Sequence, residues 1–394
     1  MRWIGLQMLS PFGGAAMAAL VMFAGLEAAR AQSPFYDAPA SLADGPPGSL
    51  VRQEPMDGAP LGASSHRVLY RSTGLTGEPI LVSGVVIVPQ GPPPPGGRSI
   101  VAWAHPTSGI VPRCAPSLAI FLFQQIQGLR SMVARGYIVA ATDYPGLGTP
   151  GPHPYLVGES EGRAVLDIVR VARDLGGGAK DFTLWGHSQG GQAVLFAGQL
   201  ALTYAPDLRL LGVAAAAPAT DLATLMSDDI NSVGGKNITA MTLWSWHRVY
   251  GAALDGVLDP RALPVIDRLA RECIEGPFDI FIRQRTERPL QQYFLTVPDP
   301  TKREPWRSLL EKNSAGTLPA SVPVFLAQGT VDQIIRPAVT RAYMGRLCKA
   351  GSPVKMVTLP NIGHGRAAQA STIAAVNWMT DRFAGKPAPN DCGG

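Results

Sequence analysis

The chain has 394 residues, 46% of them hydrophobic and 16% charged, with 34 lysines and arginines against 29 aspartates and glutamates and a formal net charge of +5. This composition is that of a well-cored globular protein and excludes a disordered or fibrous chain. No run of lysines or arginines occurs, so nucleic acid is excluded as a partner.

The N-terminus places Arg2 ahead of an apolar stretch from Ala15 to Ala24, followed by Ala29-Arg30-Ala31. A basic start, a short apolar centre and an Ala-x-Ala site predict a secretory signal peptide over residues 1–31, cut after Ala31. The apolar run falls short of the roughly 20 residues that a membrane span needs. The mature chain is therefore expected to be exported, secreted or periplasmic, and is long enough for one large α/β domain with an insertion or for two domains. Four cysteines remain in it: Cys114, Cys273, Cys348 and Cys392. An even count in an oxidising compartment predicts two disulfides and leaves three connectivities open. No Cys-x-x-Cys pair is present, so no zinc site is expected.

Residues 32–62 are rich in proline, glycine, alanine and serine and are expected to wrap the surface or stay mobile. His66–Ser72 and Ile80–Val88, either side of a turn from Gly74 to Gly77, predict an antiparallel hairpin. Ser99–Ala104 reads as a buried strand that ends in the loop His105-Pro106-Thr107-Ser108-Gly109. Helical spacing follows from Ala119 to Ala134, stopped by Gly136. Tyr137–Thr142 is the next buried strand, ending in Asp143-Tyr144-Pro145-Gly146, and Glu161–Leu175 is an amphipathic helix.

The stretch Asp181-Phe182-Thr183-Leu184-Trp185-Gly186-His187-Ser188-Gln189-Gly190-Gly191 carries the strongest signal. An apolar strand enters Gly-x-Ser-x-Gly and leaves into a helix, the pattern of a nucleophile elbow. Gly186 and Gly190 let strand and helix backbones approach closely, and the helix start beside Ser188 favours an anion.

Leu210–Ala217 is a further strand, ended by Pro218 with Asp221 just beyond. Residues 221–321 break the alternation and read as mostly helical, with Trp244, Trp246, Tyr250, Phe278, Phe281 and Tyr293 among them; they are expected to form a cap with an apolar binding surface over the strand ends. Alternation returns with strand Val322–Ala327, helix Pro337–Ala350, strand Val354–Leu359 and a last helix from about Arg366 to Phe383. The expected fold class is α/β, a mostly parallel sheet with helices on both faces. Its core is split between residues 32–220 and 322–394 by the helical cap at 221–321.

Asp332 and His364 both lie just past strand carboxyl ends, the edge where open α/β sheets bind ligands. A serine hydroxyl needs a base to take its proton, and the base needs an anion to fix its tautomer. Ser188, Asp332 and His364 occur in the chain order of that triad in α/β-hydrolases. His364 is assigned as base and Asp332 as its orienter, with Asp221 the competing acid. His187 is too close in the chain to fold back onto Ser188, His105 fits an oxyanion loop, and His66, His153 and His247 are read as surface or structural. The oxyanion donors are expected to be the N–H of Gln189 and one from the Thr107 region. This chemistry needs no metal and no organic cofactor.

The segments Gly186-His187-Ser188-Gln189-Gly190-Gly191, His105 through Cys114-Ala115-Pro116-Ser117, and Asp143-Tyr144-Pro145-Gly146-Leu147-Gly148 resemble the secretory lipase family of α/β-hydrolases, over about residues 66–392. The resemblance implies an inserted helical cap, carboxylic ester hydrolysis, and the pairs Cys114 with Cys273 and Cys348 with Cys392. Two departures from the family pattern are His105-Pro106 in place of His-Gly, and an end at Gly394 without a long C-terminal flap; acyl chain length is left open by both. The sequence thus points to an exported serine ester hydrolase, lipase or esterase, acting on small-molecule or lipid esters with transient contact to a lipid interface. Its rivals are a serine peptidase or acyltransferase on the same fold, and a catalytically silent binding protein.

Overall fold

A computed structural model of the chain describes residues 34–393. The predicted signal peptide, residues 1–31, lies outside the described residues. A short turn at Pro34–Tyr36 belongs to an N-terminal unit that ends at Asp37, and the body described below begins at Ala38. Among the described residues no helix is long and apolar enough to cross a membrane.

Nine strands form one sheet: β1 (Leu50–Met56), β2 (Ala63–Thr73), β3 (Pro79–Pro89), β4 (Arg98–Ala104), β5 (Ile138–Thr142), β6 (Gly178–His187), β7 (Arg209–Ala216), β8 (Val324–Gly329) and β9 (Val354–Leu359). Their order is β1-β2-β3-β5-β4-β6-β7-β8-β9. The pairs from β1 to β3, and β3 with β5, are antiparallel, and every pair from β5 to β9 is parallel. Strand alternation in β4 sends Ile100 and Ala102 into one apolar cluster and Val101 and Trp103 into another on the opposite face. A parallel sheet buried on both sides requires such continuous apolar runs, since neither face can be left to water.

One face is covered by α3 (Gly158–Gly176), α4 (Gln189–Tyr204) and α10 (Pro337–Lys349), the other by α2 (Leu129–Ala134) and α11 (Ala367–Phe383). Two elements differ from the sequence reading. The single helix expected from Ala119 to Ala134 is broken into α1 (Leu122–Gln125) and α2, because Ile126 is extended and Gly128 takes φ +87°, a turn open to glycine. Within the expected surface wrap, residues 50–56 form β1. Its side chains alternate between exposed and half-buried around Pro55, so the strand is fixed by pairing with β2 rather than by an apolar pattern.

Between β7 and β8 the chain runs through five helices, α5 (Leu222–Asp229), α6 (Val233–Tyr250), α7 (Leu263–Arg271), α8 (Pro277–Thr286) and α9 (Trp306–Lys312). Trp246 on α6 stacks on Trp306 on α9, and its indole N–H donates to Tyr155 O at 2.8 Å. Ser245 Oγ donates to His153 O and accepts from Tyr155 N, so α6 is fastened to the loop ahead of α3.

Disulfides join Cys114 to Cys273 and Cys348 to Cys392. The second holds the C-terminal segment along edge strand β9, where Asp391 N donates to Val354 O at 2.7 Å and Asp391 Oδ2 accepts from Met356 N at 2.9 Å. A covered edge cannot recruit another strand. The bridge closes 44 residues. Replacing both cysteines by serine is expected to cost about 2–4 kcal/mol, read as a lower midpoint in a thermal melt.

Candidate active site

Ser188 sits at φ +59° and ψ −120°, where β6 ends and α4 begins. A non-glycine residue rarely adopts this conformation, and the surroundings hold it there. A Cβ on Gly186 would lie 2.2 Å from Gly190 O, and one on Gly190 would lie 2.2 Å from Ala104 O. Strand, turn and helix are therefore packed backbone to backbone, with Ser188 N donating to Ala216 O at 3.0 Å. Gln189 opens α4, so its N–H belongs to the first turn and has no partner within the helix.

His364 approaches from the loop after β9. Its Nε2 is 2.8 Å from Ser188 Oγ and its Nδ1 is 2.9 Å from Asp332 Oδ2. A carboxylate only accepts, so Nδ1 carries the hydrogen and Nε2 faces the serine hydroxyl as acceptor. Asp332, in the loop after β8, also accepts from Ile334 N at 2.9 Å and Ile335 N at 2.8 Å through Oδ1, and from Gln328 Nε2 at 3.2 Å through Oδ2. Burial works to raise its pKa, but the hydrogen bond from His364, the electrostatic pull of that ring and the two backbone N–H groups outweigh this and hold it below the usual carboxylate value. A lowered carboxyl keeps its charge until the pH falls through that reduced value, so Asp332 remains an anion across the neutral range.

The other candidates fall elsewhere. Asp221 is the N-cap of α5, accepting from Thr224 N at 3.0 Å. His187 turns away from Ser188 and its Nε2 donates to His364 O at 3.0 Å, bracing the loop that carries His364. Burial, and next the neighbouring His364, push the His187 pKa down to about 3, so it stays neutral. His105 is buried under the loop after β4, with Nδ1 2.7 Å from Pro106 O. Thr107, in that loop, lines the same cleft as Ser188, and its hydroxyl is 3.1 Å from Tyr155 Oη. Ser117 of the Cys-Ala-Pro-Ser segment donates through its N–H to Asp143 Oδ1 at 2.8 Å, and Ser83 Oγ donates to Asp143 Oδ2 at 2.6 Å. The Cys114–Cys273 bridge ties this region to the segment between α7 and α8.

Sequence reasoning missed several supporting residues. Gln328 holds Asp332 and is itself fixed by Thr340 Oγ1 at 2.6 Å. Glu161 and His153 lie fully buried behind Gln189. The available signal was Gly158 and Gly162, one helical turn apart beside Glu161, which allow α3 to press against Phe196 and Ala197 of α4 and so bury that carboxyl.

The cleft over Ser188 has a volume of about 570 Å³, counting space open to solvent. Its walls are apolar side chains of the β7–β8 crossing, Leu222, Leu225 and Met226 from α5, Ile238 from α6 and Leu310 from α9, with Ile335 beside Asp332. Such a cleft offers an apolar ligand site beside the half-buried Ser188 hydroxyl. Among the described residues no three histidine, cysteine or acidic side chains gather as metal ligands.

A family model for secretory lipases matches residues 122–391. Lipase 5 of Candida albicans is 25% identical over 395 residues, spanning 91% of this chain and 82% of its own. A probable inactive lipase of Mycobacterium tuberculosis is also 25% identical, over 380 residues, covering 90% of this chain and 82% of its own. The crystal structure of Candida antarctica lipase A superposes with a TM-score of 0.76 at 17% identity, over 92% of this chain and 88% of that one, which gives the α/β-hydrolase fold.

The packing at the elbow predicts that Gly190→Ala, which drives a methyl group into Ala104 O, costs about 3 kcal/mol or more; a thermal melt of the purified variant, or its failure to stay soluble, reads this out.

Proposed function

The chain belongs to the secretory lipase family, and from that premise we propose that it is an exported serine hydrolase of carboxylic esters that works through an acyl-enzyme. The observation that carries the proposal is the line from Asp332 Oδ2 through His364 to Ser188 Oγ, with contacts of 2.9 and 2.8 Å, opening on an apolar cleft. Ser188 attacks the ester carbonyl carbon while His364 Nε2 takes its proton. The oxyanion is held by the N–H of Gln189 and a donor of the Thr107 loop. His364 returns the proton to the departing alkoxide, then takes one from water, whose oxygen attacks the acyl carbon; as the Ser188 Oγ–acyl bond breaks, His364 gives that proton to Ser188 Oγ, releasing the acid and restoring the neutral base. Asp332 keeps the imidazole in the required tautomer and stabilises its cationic form.

The helices of residues 221–321 act as the cap, since α5, α6 and α9 wall the cleft above the serine. The cap also carries a surface for a lipid interface. On α8, Arg283 is only 2% exposed and donates inward to Leu269 O at 2.7 Å and to Asn237 Oδ1 at 2.6 Å, while Phe278 is 71% and Phe281 48% exposed. This reverses the usual sidedness of a surface helix. Arg285 stands 4.4 Å over the Phe281 ring, Arg288 is exposed nearby, and among the described residues neither meets a carboxylate. Apolar anchors rimmed by unpaired guanidinium groups fit an anionic lipid surface. Asn237 precedes Ile238, which lines the cleft, so this surface joins the wall of the site.

The family includes a relative described as a probable inactive lipase, so activity is the first property to measure. Hydrolysis of p-nitrophenyl esters of increasing chain length is expected, with Ser188→Ala at background and Asp332→Asn reduced about 1,000-fold or more in kcat. Turnover by Ser188→Ala, or none by the parent, overturns the reading, and a preference for peptides over esters favours a peptidase. A fluorophosphonate is expected to label Ser188. Phe278→Ser with Phe281→Ser is expected to abolish co-sedimentation with vesicles containing phosphatidylglycerol, while turnover of a soluble short-chain ester persists.

A further inference from the structure

Behind the oxyanion hole lies a polar cluster that the reaction above does not use. Gln189 Nε2 donates to Glu161 Oε1 at 2.7 Å and to His153 Nε2 at 3.1 Å. Leu156 N donates to the same carboxyl oxygen at 3.0 Å. His153 Nδ1 is 2.8 Å from Pro145 O, and a carbonyl only accepts, so the hydrogen is on Nδ1 and Nε2 is free to accept. Both amide hydrogens of Gln189 are thereby committed inward. An isolated glutamate has no reason to be fully buried at this place unless it fixes something.

We propose that Glu161, together with His153, is a positioning residue for the oxyanion hole: it locks the Gln189 side chain and so sets the direction of the Gln189 backbone N–H. The proposal rests on the ester hydrolase reading and extends it to the support of that one donor. Two acceptors on one amide leave the side chain a single orientation, and a donor aimed at developing charge loses its worth when it shifts by a fraction of an ångström.

The surroundings decide which form of Glu161 serves. Facing it are His153, at 3.8 Å from Oε1, and the hydroxyl-bearing rings of Tyr144, Tyr155 and Tyr250, with His105 behind His153; among the described residues Gln189 on α4 supplies the only side-chain donor. Among the described residues no lysine or arginine faces the carboxyl, and Oε2 has no hydrogen-bond partner. Burial raises the Glu161 pKa to about 8, against the lesser pull of the Gln189 amide and the Leu156 N–H. His153 is pushed by burial down to about 3 and stays neutral. The cluster is therefore uncharged through the neutral range, and a second negative charge does not stand behind the oxyanion until the pH rises past about 8.

The sign follows for stability also. A folded chain that keeps a proton on Glu161 which the unfolded chain has lost binds more protons, so its stability falls as pH rises from the ordinary glutamate value of 4.5 toward 8.

The test compares wild type, Glu161→Ala, Glu161→Gln, Gln189→Ala and the double variant Glu161→Ala/Gln189→Ala on p-nitrophenyl butyrate from pH 5 to 10. Glutamine copies the neutral carboxyl, with the same accepting oxygen. Glu161→Ala is expected to lose about 10 to 100-fold in kcat with little change in KM. Glu161→Gln is expected to recover most of that loss and to lack the fall in kcat expected of wild type above about pH 8. The double variant is expected to be no worse than Gln189→Ala alone, because Glu161 acts through that amide. Glu161→Gln as slow as Glu161→Ala, or a Glu161→Ala loss repeated in full in the Gln189→Ala background, overturns the proposal. Should Glu161→Ala not fold, the alkaline limb of Glu161→Gln and the pH course of its melting midpoint against wild type decide: parallel curves overturn the proposal, and a gap widening from pH 5 to 8 together with the lost limb supports it. A wild-type protein inert to every ester overturns the hydrolase reading instead, which keeps the two failures apart.

Discussion

The left-handed turn at Ser188 is the constraint on which the rest of the structure depends. A serine at φ +59° is held only because no side chain keeps the backbones on either side of it apart, where Gly186 meets Gly190 and Gly190 meets the end of β4. The strain puts the hydroxyl at the head of the sheet and the first N–H groups of α4 beside it. The loops gathered around the serine arrive at the same sheet edge: the loop after β4 with Thr107, the loop after β8 with Asp332 and the loop after β9 with His364. Parallel strands deliver their loops to one edge, so the topology gathers groups from distant parts of the chain without any long-range motif.

Electrostatics are arranged differently on the two sides of that serine. On one side the anion of Asp332 is surrounded by four donors, from Ile334, Ile335, Gln328 and His364, and its charge is held. On the other, Glu161, His153 and Tyr144 are buried without a cation, and burial keeps them neutral. One carboxyl group is a charged partner for the His364 imidazole, while the other leaves the surroundings of the Gln189 side chain without a charge. The difference comes from the donors each group meets, since both are acidic side chains out of water.

The long crossing between β7 and β8 gives the site its walls and its outer face. It is tied down by Trp246 and Ser245 against the loop ahead of α3, and between α7 and α8 by the Cys114–Cys273 bridge. Those fastenings leave α8 with its guanidinium inside and its phenylalanines outside. A helix held by polar bonds on its inner side can expose apolar side chains that a helix held by hydrophobic burial would have to bury.

By itself the sequence determined the alternation of strands and helices, the elbow, and the chain order of Ser188, Asp332 and His364, because periodicity, glycine spacing and strand ends are local properties. The resemblance to the secretory lipases pointed to the two cysteine pairs, which counting alone left open. Residues whose role depends on a distant partner were not legible. Strand β1 has no apolar pattern and exists by pairing with β2; the helix break at Gly128 follows from its packing against α11. Gln328 and Glu161 read as an unremarkable polar residue and the charged start of an amphipathic helix until the fold brought Asp332 against one and Gln189 against the other. Only the tertiary structure decided those assignments, since burial and hydrogen-bond partners are set by which chain segments meet in space.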